Sequence, residues 1–349
     1  MQDYFSVATG RKSIVGITAV PGVPYDLYFD WSDTNNYNRY STAPFFEMVG
    51  ARYPSARVQA VFACHGEADY NRTASVYAGY MADLKTDMNF EVKRRVANNV
   101  GYDMPIFASQ YSSCSYVGAC YASTLSCGAI QGIVDAANAG DVVFVGTTYQ
   151  YTHASGPHLS TASNKMRGAK YMEAYLWGPS WTGVRTNASG AGKVGRVGNA
   201  YRLNYHVQYP PLVFDTTLVS AIGDNGFLYM EETAGPTYTA KQINTPEICT
   251  GAGAPNAACQ NANQIIITPT VAPNLSAVAR YLFYGAGCWY NAGTNVLFND
   301  TQCISPGSVC VTPGPTTGQR GNLRDSDPAT WNATPMYNWA AIERWDALP

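Results

Sequence analysis

Short, nearly continuous apolar runs alternate with helical stripes over about the first 180 residues of this chain. Strands that are covered on both faces of a sheet have this apolar character. Four such runs cover residues 13–20, 57–64, 105–108 and 141–146. The helical stripes between them consist of Tyr77, Met81, Leu84 and Met88, and of Ile130, Ile133, Val134 and Ala137. The alternation predicts an α/β fold with a doubly wound parallel sheet, closed by a helix over about residues 163–177.

The sequence changes character near residue 185. Gly, Asn, Thr and Pro then interrupt short β-rich runs at residues 201–207, 226–230 and 264–268. This composition predicts a β-sandwich-like second domain. A length of 349 residues also suits about two domains. We therefore predict an α/β domain over residues 1–182, a Gly-rich linker over 183–198 and a β-rich accessory domain over 199–349.

Charge and hydropathy exclude several classes of protein. Charged residues make up 13% of the chain and the net charge is −2, so we expect no nucleic-acid partner. No apolar run reaches 18 residues, so we expect no membrane-spanning helix. The run at residues 13–20 follows Arg11 and Lys12 as in a secretion signal, but no cleavage site follows it and a buried strand fits better.

The nine cysteines contain no C-x-x-C pair, which argues against a zinc ribbon or a thioredoxin-type site. Local clusters favour short-loop disulfides and a location outside the cytoplasm. These clusters are 114/120/127, 249/259 and 288/303/310. Cys64 lies inside an apolar run, and we expect it to be buried. The odd total leaves at least one free thiol.

Two polar loops follow predicted strands, where an α/β enzyme places its site. The first contains His65, Gly66, Glu67 and Asp69, and the second, at residues 153–160, contains His153 and His158. A histidine in such a loop can serve as a general base near pH 7. The alternative for both loops is that they only cap the helix that follows, with Asp69 or Asn71 as the cap of the first.

His65-Gly66-Glu67 fits the H-x-E motif of the zinc deaminases. Its partner motif P-C-x-x-C is missing from the chain. We therefore expect no metal site, and with no nucleotide-binding motif we expect no cofactor.

The motifs resemble those of the SGNH (GDSL-like) hydrolases. The resemblance rests on the His65–Asp69 segment after a strand, on the late His158-Leu159 loop before the closing helix, and downstream on residues 206–217, 320–326 and 337–339. It is closest to the sialate O-acetylesterase-like branch and to carbohydrate deacetylase domains of phage tail proteins. The resemblance implies a three-layer sheet, a serine nucleophile after the first strand, and an acetylated carbohydrate as substrate. A homo-oligomer is left open.

The resemblance also assigns roles to single residues. His158 matches the catalytic base, and Glu67 matches an acidic residue that orients His158 or binds substrate. Gly22 matches the glycine of the second block, and Gly66 and Asp69 match the third block, whose donors stabilise the oxyanion of acyl transfer. His65 joins this oxyanion and substrate-binding group.

Two departures from the family pattern keep a second interpretation open. Ser155 stands where the family has the aspartate that orients the base, and no G-D-S or G-Q-S block occurs before residue 22. Ser155 and Ser160 are too close to His158 in sequence to be nucleophiles. We expect turnover only if another serine reaches His158. The alternative is a catalytically inactive module that binds glycans or serves as a structural part of a phage tail.

Overall fold

The computed structural model describes Tyr25 and residues 37–66, 69, 72–111, 128–155, 158–187, 194–234, 237–285, 314–316, 320–346 and 348–349. The described α-helices are α1 (Tyr37–Arg52), α2 (Ala74–Arg95), α3 (Gly128–Ala139) and α4 (Thr161–Trp177). Three short 3₁₀ segments cover Ala97–Asn99, Gly178–Ser180 and Gly223–Gly226. None of the helices in these ranges is long and apolar enough to cross a membrane.

A parallel three-stranded sheet forms the first half of the described fold. Its strands are β1 (Val61–Ala63), β2 (Ile106–Ser109) and β3 (Val143–Gly146), in the order β1-β2-β3. Val61 pairs with Ile106, and Phe107 pairs with Val143, in parallel register. The predicted parallel strands are therefore confirmed for three of the four apolar runs. The fourth, at residues 13–20, lies outside the described residues.

Side chains that alternate along the strands enter two different apolar cores. Ile106 and Phe144 pack with the buried stripes of α2 and α3, while Phe107 and Val145 pack with Tyr171 of α4. Both predicted stripes are buried, and α4 covers the predicted closing helix. The continuous apolar strands are thus explained by helices on both faces of the sheet.

A small antiparallel hairpin follows the parallel sheet in the chain and consists of β4 (His153–Ser155) and β5 (His158–Leu159).

The second half is built from short strands that pair antiparallel. They are β6 (Arg185–Thr186), β7 (Val194–Val197), β8 (Ala200–His206), β9 (Val213–Phe214), β10 (Phe227–Ala234), β11 (Thr237–Lys241), β12 (Glu247–Ile248), β13 (Gln264–Ile267), β14 (Ala279–Tyr284), β15 (Leu323–Arg324), β16 (Thr330–Trp331), β17 (Thr334–Pro335) and β18 (Glu343–Trp345). One sheet has the order β11-β10-β14-β18, and another has the order β12-β13-β8-β6, with β7 also paired to β8. Strand β9 pairs with β15, and β16 pairs with β17.

Parts of the predicted linker belong to this second half. Strands β6 and β7 both pair antiparallel with β8. The division at residues 182 and 199 stays a prediction, but β6 and β7 of the predicted linker are joined to β8 by backbone hydrogen bonds.

The cysteines settle one expectation and correct another. Cys249 and Cys259 form a disulfide with a Cα–Cα distance of 5.6 Å, as one of the predicted local clusters suggested. The prediction that Cys64 is buried is wrong, because β1 ends at Ala63 and the thiol lies exposed in the loop beyond it.

The segments at residues 215 and 320–325 contact each other and neighbouring parts of the antiparallel half. The Arg324 Nε donates to the Asp215 carboxylate at 2.5 Å. The Asp325 carboxylate is fully buried and accepts hydrogen bonds from the Asn338 and Tyr209 backbone N–H groups. These side chains are engaged in structural contacts.

The amide of Gln110 joins the two halves. It is fully buried just beyond β2, and its Nε2 donates to the carbonyls of Ile130 and Ile342 at 2.9 and 2.8 Å. The Ile342 N–H donates back to Gln110 Oε1 at 2.7 Å. One side chain therefore satisfies both backbone groups of a residue that lies 232 positions away.

A buried ion cluster forms a second connection. The Lys170 ammonium of α4 lies 2.8 Å from Glu173 and 2.7 Å from Asp327, and all three residues are buried. Burial alone would lower the pKa of Lys170, but the two carboxylates raise it overall. Burial raises the pKa of Glu173 to about 7, and the neighbouring Asp327 carboxylate adds to this increase while the Lys170 ammonium opposes it.

We predict that Gln110→Ala lowers the free energy of unfolding by about 2–4 kcal/mol, because it leaves the buried N–H and C=O of Ile342 without partners. Urea unfolding followed by circular dichroism measures the change. Gln242→Ala is the matched control at an exposed position and should change stability by less than about 0.5 kcal/mol. Equal effects of the two substitutions would contradict the connecting role of Gln110.

We predict that Glu173 makes stability decrease as pH rises. The folded-state pKa of Glu173, about 7, lies above the ordinary 4.5, so folding favours the protonated carboxyl. Its contribution is fully present below about pH 4.5 and is lost as pH rises to about 7. Glu173→Gln cannot ionise, so its stability relative to wild type should increase across that window. Urea unfolding from pH 4 to 8 tests this, with exposed Glu47→Gln as the control; parallel profiles for wild type and Glu173→Gln would contradict it.

Candidate functional site

Polar side chains gather where the three parallel strands end. His65 and Gly66 follow β1, Gln110 and Tyr111 follow β2, and the β4–β5 hairpin follows β3. The carboxyl ends of parallel strands meet at one edge of a sheet, which is where α/β folds bind their ligands. This edge is the candidate functional site.

The hydroxyl of Tyr171 ties two of these strand ends together. It donates to the Ala63 carbonyl at 2.6 Å and accepts the Ser109 N–H at 2.8 Å. The Cys64 thiol lies 3.4 Å from the same hydroxyl. Burial raises the pKa of Tyr171 well above its usual range, so the hydroxyl keeps its proton and remains a donor. Tyr171 was not among the site residues predicted from the sequence, although its hydroxyl is a polar group within the apolar stripe of α4.

His65 is held by a carboxylate and a tyrosine. Its Nδ1 lies 3.4 Å from Asp69 Oδ2 and 3.2 Å from the Tyr77 hydroxyl. The Asp69 side chain is fully buried, whereas 15% of the His65 side chain is exposed. Solvent therefore reaches the histidine but not its carboxylate partner.

Asp69 is itself anchored from other sides. The Tyr25 N–H donates to Asp69 Oδ2 at 2.9 Å, and the Arg72 Nε lies 3.6 Å from Asp69 Oδ1. An ionised carboxylate can only accept hydrogen bonds. The donors around Asp69 thus suit an ionised side chain that positions His65.

Gly66 occupies a place that a side chain would not fit. Its φ is +130°, and a Cβ there would lie 2.5 Å from the Tyr111 ring. The backbone turns at this residue so that the loop after β1 passes close to the loop after β2. Glycine alone allows this close approach without strain.

The β4–β5 hairpin contains two histidines in different surroundings. His158 is exposed, and its backbone pairs with Ser155. His153 is buried, and its Nδ1 lies 2.9 Å from the Tyr151 carbonyl. Burial lowers the pKa of His153 to about 4, with the nearby Arg167 and His158 adding to the effect, so this ring is neutral at pH 7.

Ser160 serves the helix that follows the hairpin. Its Oγ accepts the Ser163 N–H at 3.2 Å and thereby caps α4. No hydrogen bond joins His158 to any serine whose side chain the structure describes, a set that does not include Ser155. The second loop therefore caps the helix that follows it, whereas the helix after the first loop is capped by Thr73 and not by Asp69 or Asn71, which corrects that expectation.

His65, Gly66 and Asp69 lie in one loop after β1, where His65 Nδ1 is 3.4 Å from the Asp69 carboxylate. Gly22 and Glu67 lie outside the described residues. His158 follows β3 in the chain, and its convergence with His65 in one cleft stays a prediction. Across the described ranges, no group of three or more His, Cys, Asp or Glu side chains is arranged to hold a metal ion.

We predict that Gly66→Ala lowers the free energy of unfolding by about 2–4 kcal/mol, through left-handed backbone strain and the clash with Tyr111. Gly79→Ala is the matched control, because Gly79 lies inside α2 with open space around it. That control should stabilise the protein by about 1 kcal/mol. Urea unfolding compares the two, and a neutral Gly66→Ala would contradict the close approach of the two loops.

Comparison with known proteins adds no relative to this description. No protein-family model matches the chain, and no curated protein matches it either. The functional interpretation therefore rests on the geometry of this sheet edge and on the motifs found in the sequence.

Proposed function

We propose that this protein is a carbohydrate O-acetyl esterase of the SGNH type. Two observations support it: His65, Gly66 and Asp69 lie in the loop after β1 of a parallel sheet, and the hairpin with His158 follows β3 in the chain. The proposal includes a three-layer doubly wound sheet followed by a β-sandwich-like accessory domain. The substrate class, an acetylated carbohydrate, comes from the motif resemblance.

The proposed reaction is acyl transfer to a serine. His158 takes the proton of the serine hydroxyl, the hydroxyl oxygen attacks the acetyl carbonyl, and the sugar oxygen leaves with that proton. Backbone N–H groups near Gly66 stabilise the oxyanion, because preorganised donors contribute several kcal/mol in such sites. The proposal names no serine for the nucleophile among the described residues.

Two observations favour a second candidate, an inactive module that binds glycans or serves as a structural part of a phage tail. Ser155 stands where the family has the acid that orients the base, and His158 has no hydrogen bond to a serine whose side chain is described. Such a module would keep the fold and bind the glycan without hydrolysing it.

We predict that the purified protein releases acetate from O-acetylated polysaccharide and from p-nitrophenyl acetate. His158→Ala should lower kcat by about 100-fold or more, because general-base catalysis contributes that much. His206→Ala is the control: His206 lies on β8, away from the parallel sheet, and this variant should keep wild-type turnover.

Acetate release is followed by a coupled assay, and glycan binding by affinity electrophoresis. A wild type that binds the polysaccharide but releases no acetate would favour the inactive module. Turnover that is equal in wild type and His158→Ala would contradict the role of His158.

A further inference from the structure

A buried lysine on α4 lies in contact with two carboxyl groups. Lys170 Nζ is 2.7 Å from Asp327 Oδ2 and 2.8 Å from Glu173 Oε2, and all three residues are buried. We propose that the Lys170 amine and the Asp327 carboxyl condense to an isopeptide bond, with Glu173 carrying the protons. This covalent modification joins α4 to a residue 157 positions further along the chain. Neither Lys170 nor Asp327 takes part in the proposed esterase reaction.

The closeness of the two reacting groups favours the bond. An amine nitrogen at hydrogen-bond distance from a carboxyl oxygen is one bond away from the carbon that it attacks. Groups held at this range in one folded molecule react as if they were at very high concentration. Only 4% of the Lys170 side chain and 0% of the Asp327 side chain are exposed, so bulk water is kept from the bond that it could hydrolyse.

The Asp327 carboxyl is held in place by other neighbours. Its Oδ1 accepts the Ala329 N–H at 2.8 Å, and its Oδ2 accepts the Asn338 side-chain amide at 3.3 Å. A fixed N–H donor stabilises the negative charge that develops on a carbonyl oxygen during attack. Oδ1 therefore suits the oxygen that the new amide keeps. Oδ2, which faces the amine, suits the oxygen that leaves.

Glu173 is placed to move protons between the two groups. Burial raises its pKa to about 7, and a hydrogen bond with the Asp327 side chain adds to this rise while Lys170 opposes it. A group with a pKa near the working pH is an effective general acid and base. Its Oε1 accepts a 3.4 Å hydrogen bond from the Tyr209 hydroxyl, which helps to fix the carboxyl. Burial remains after the bond forms, so the effect of Glu173 on stability predicted above keeps its sign.

The starting charges are removed within the cluster itself. Burial lowers the pKa of the Lys170 amine while the carboxylates raise it, so the ammonium is the starting form. Transfer of its proton to Asp327 leaves a neutral amine and a neutral acid. A buried site disfavours charged groups, which makes this transfer easier than it is in water. The Trp181 ring, 5.4 Å from Lys170 Nζ, is part of these surroundings.

The proposed step balances as follows. One proton of the Lys170 ammonium passes through Glu173 to the Asp327 carboxylate. The amine lone pair then forms a bond from Nζ to the carboxyl carbon, Cγ. Glu173 takes one proton from the nitrogen and gives one to Oδ2, and the bond between Cγ and Oδ2 breaks. One water leaves, Glu173 returns to its starting state, and no oxidant or co-reactant is needed.

Intact-mass spectrometry of the reduced full chain tests the bond directly. Every folded wild-type molecule should weigh about 18 Da less than its sequence, which is the mass of one water. Lys170→Arg cannot form the bond and Glu173→Gln cannot carry the protons, so both variants should have their full sequence mass. Lys93→Arg is the matched control: Lys93 lies 2.5 Å from Asp103, but this pair is open to solvent. That control should show the same loss of water as wild type.

Peptide mapping locates the bond. Tryptic cleavage at the neighbouring arginines should release one branched peptide in which residues 168–185 are joined to residues 325–344. Trypsin should not cut after the acylated Lys170. Fragmentation of the branched peptide should place the link between Lys170 and Asp327.

Three results would overturn the bond. They are a wild type of full sequence mass, a loss of water that persists in Lys170→Arg, and a link that maps to another residue such as Asn338. A loss of water in Glu173→Gln equal to that of wild type would overturn the role of Glu173. Mass is the readout throughout, so these results are independent of the outcome of the esterase assays.

Discussion

The pairing between the Gln110 amide and the backbone of Ile342 is the constraint on which much of the fold depends. A buried N–H and a buried C=O each lose free energy unless they find a partner, and Ile342 lies in the core shared with α2 and α3. The side chain that satisfies them leaves the end of β2. The antiparallel half is thereby fixed against the parallel sheet at the edge that forms the candidate site.

The same requirement explains the other polar residues near this edge. Tyr171 satisfies the Ala63 carbonyl and the Ser109 N–H, and Asp69 satisfies the Tyr25 N–H while it faces His65. Each of these groups is buried, so its hydrogen bonds also determine where its neighbours lie. The polar contacts around His65 are therefore contacts that also stabilise the fold.

Several features of the site could be read from the sequence, for definite physical reasons. Continuous apolar runs predicted the parallel strands, because helices exclude water from both faces of the sheet. The His65 and His158 loops were found because each follows such a run. The burial of Cys64 was predicted wrongly. An apolar run shows that a strand is present, but it does not show at which residue the strand ends, and β1 ends at Ala63. The sequence did not predict the contacts of Tyr171, Gln110 and Lys170. A polar residue next to apolar ones does not show which distant group it will contact.

The sequence by itself determined the local structure of this protein. It showed which segments form strands and helices, where the composition changes to that of antiparallel β structure, and which loops contain histidine and carboxylate side chains. Those properties depend on spacing along the chain. Only the tertiary structure decided that Gln110 meets Ile342, that Lys170 lies between Glu173 and Asp327, and that His65 faces Asp69 with a buried tyrosine beside it. Gln110 and Ile342 lie 232 positions apart, and Lys170 and Asp327 lie 157 apart. Burial, which no local pattern specifies, makes such pairings obligatory.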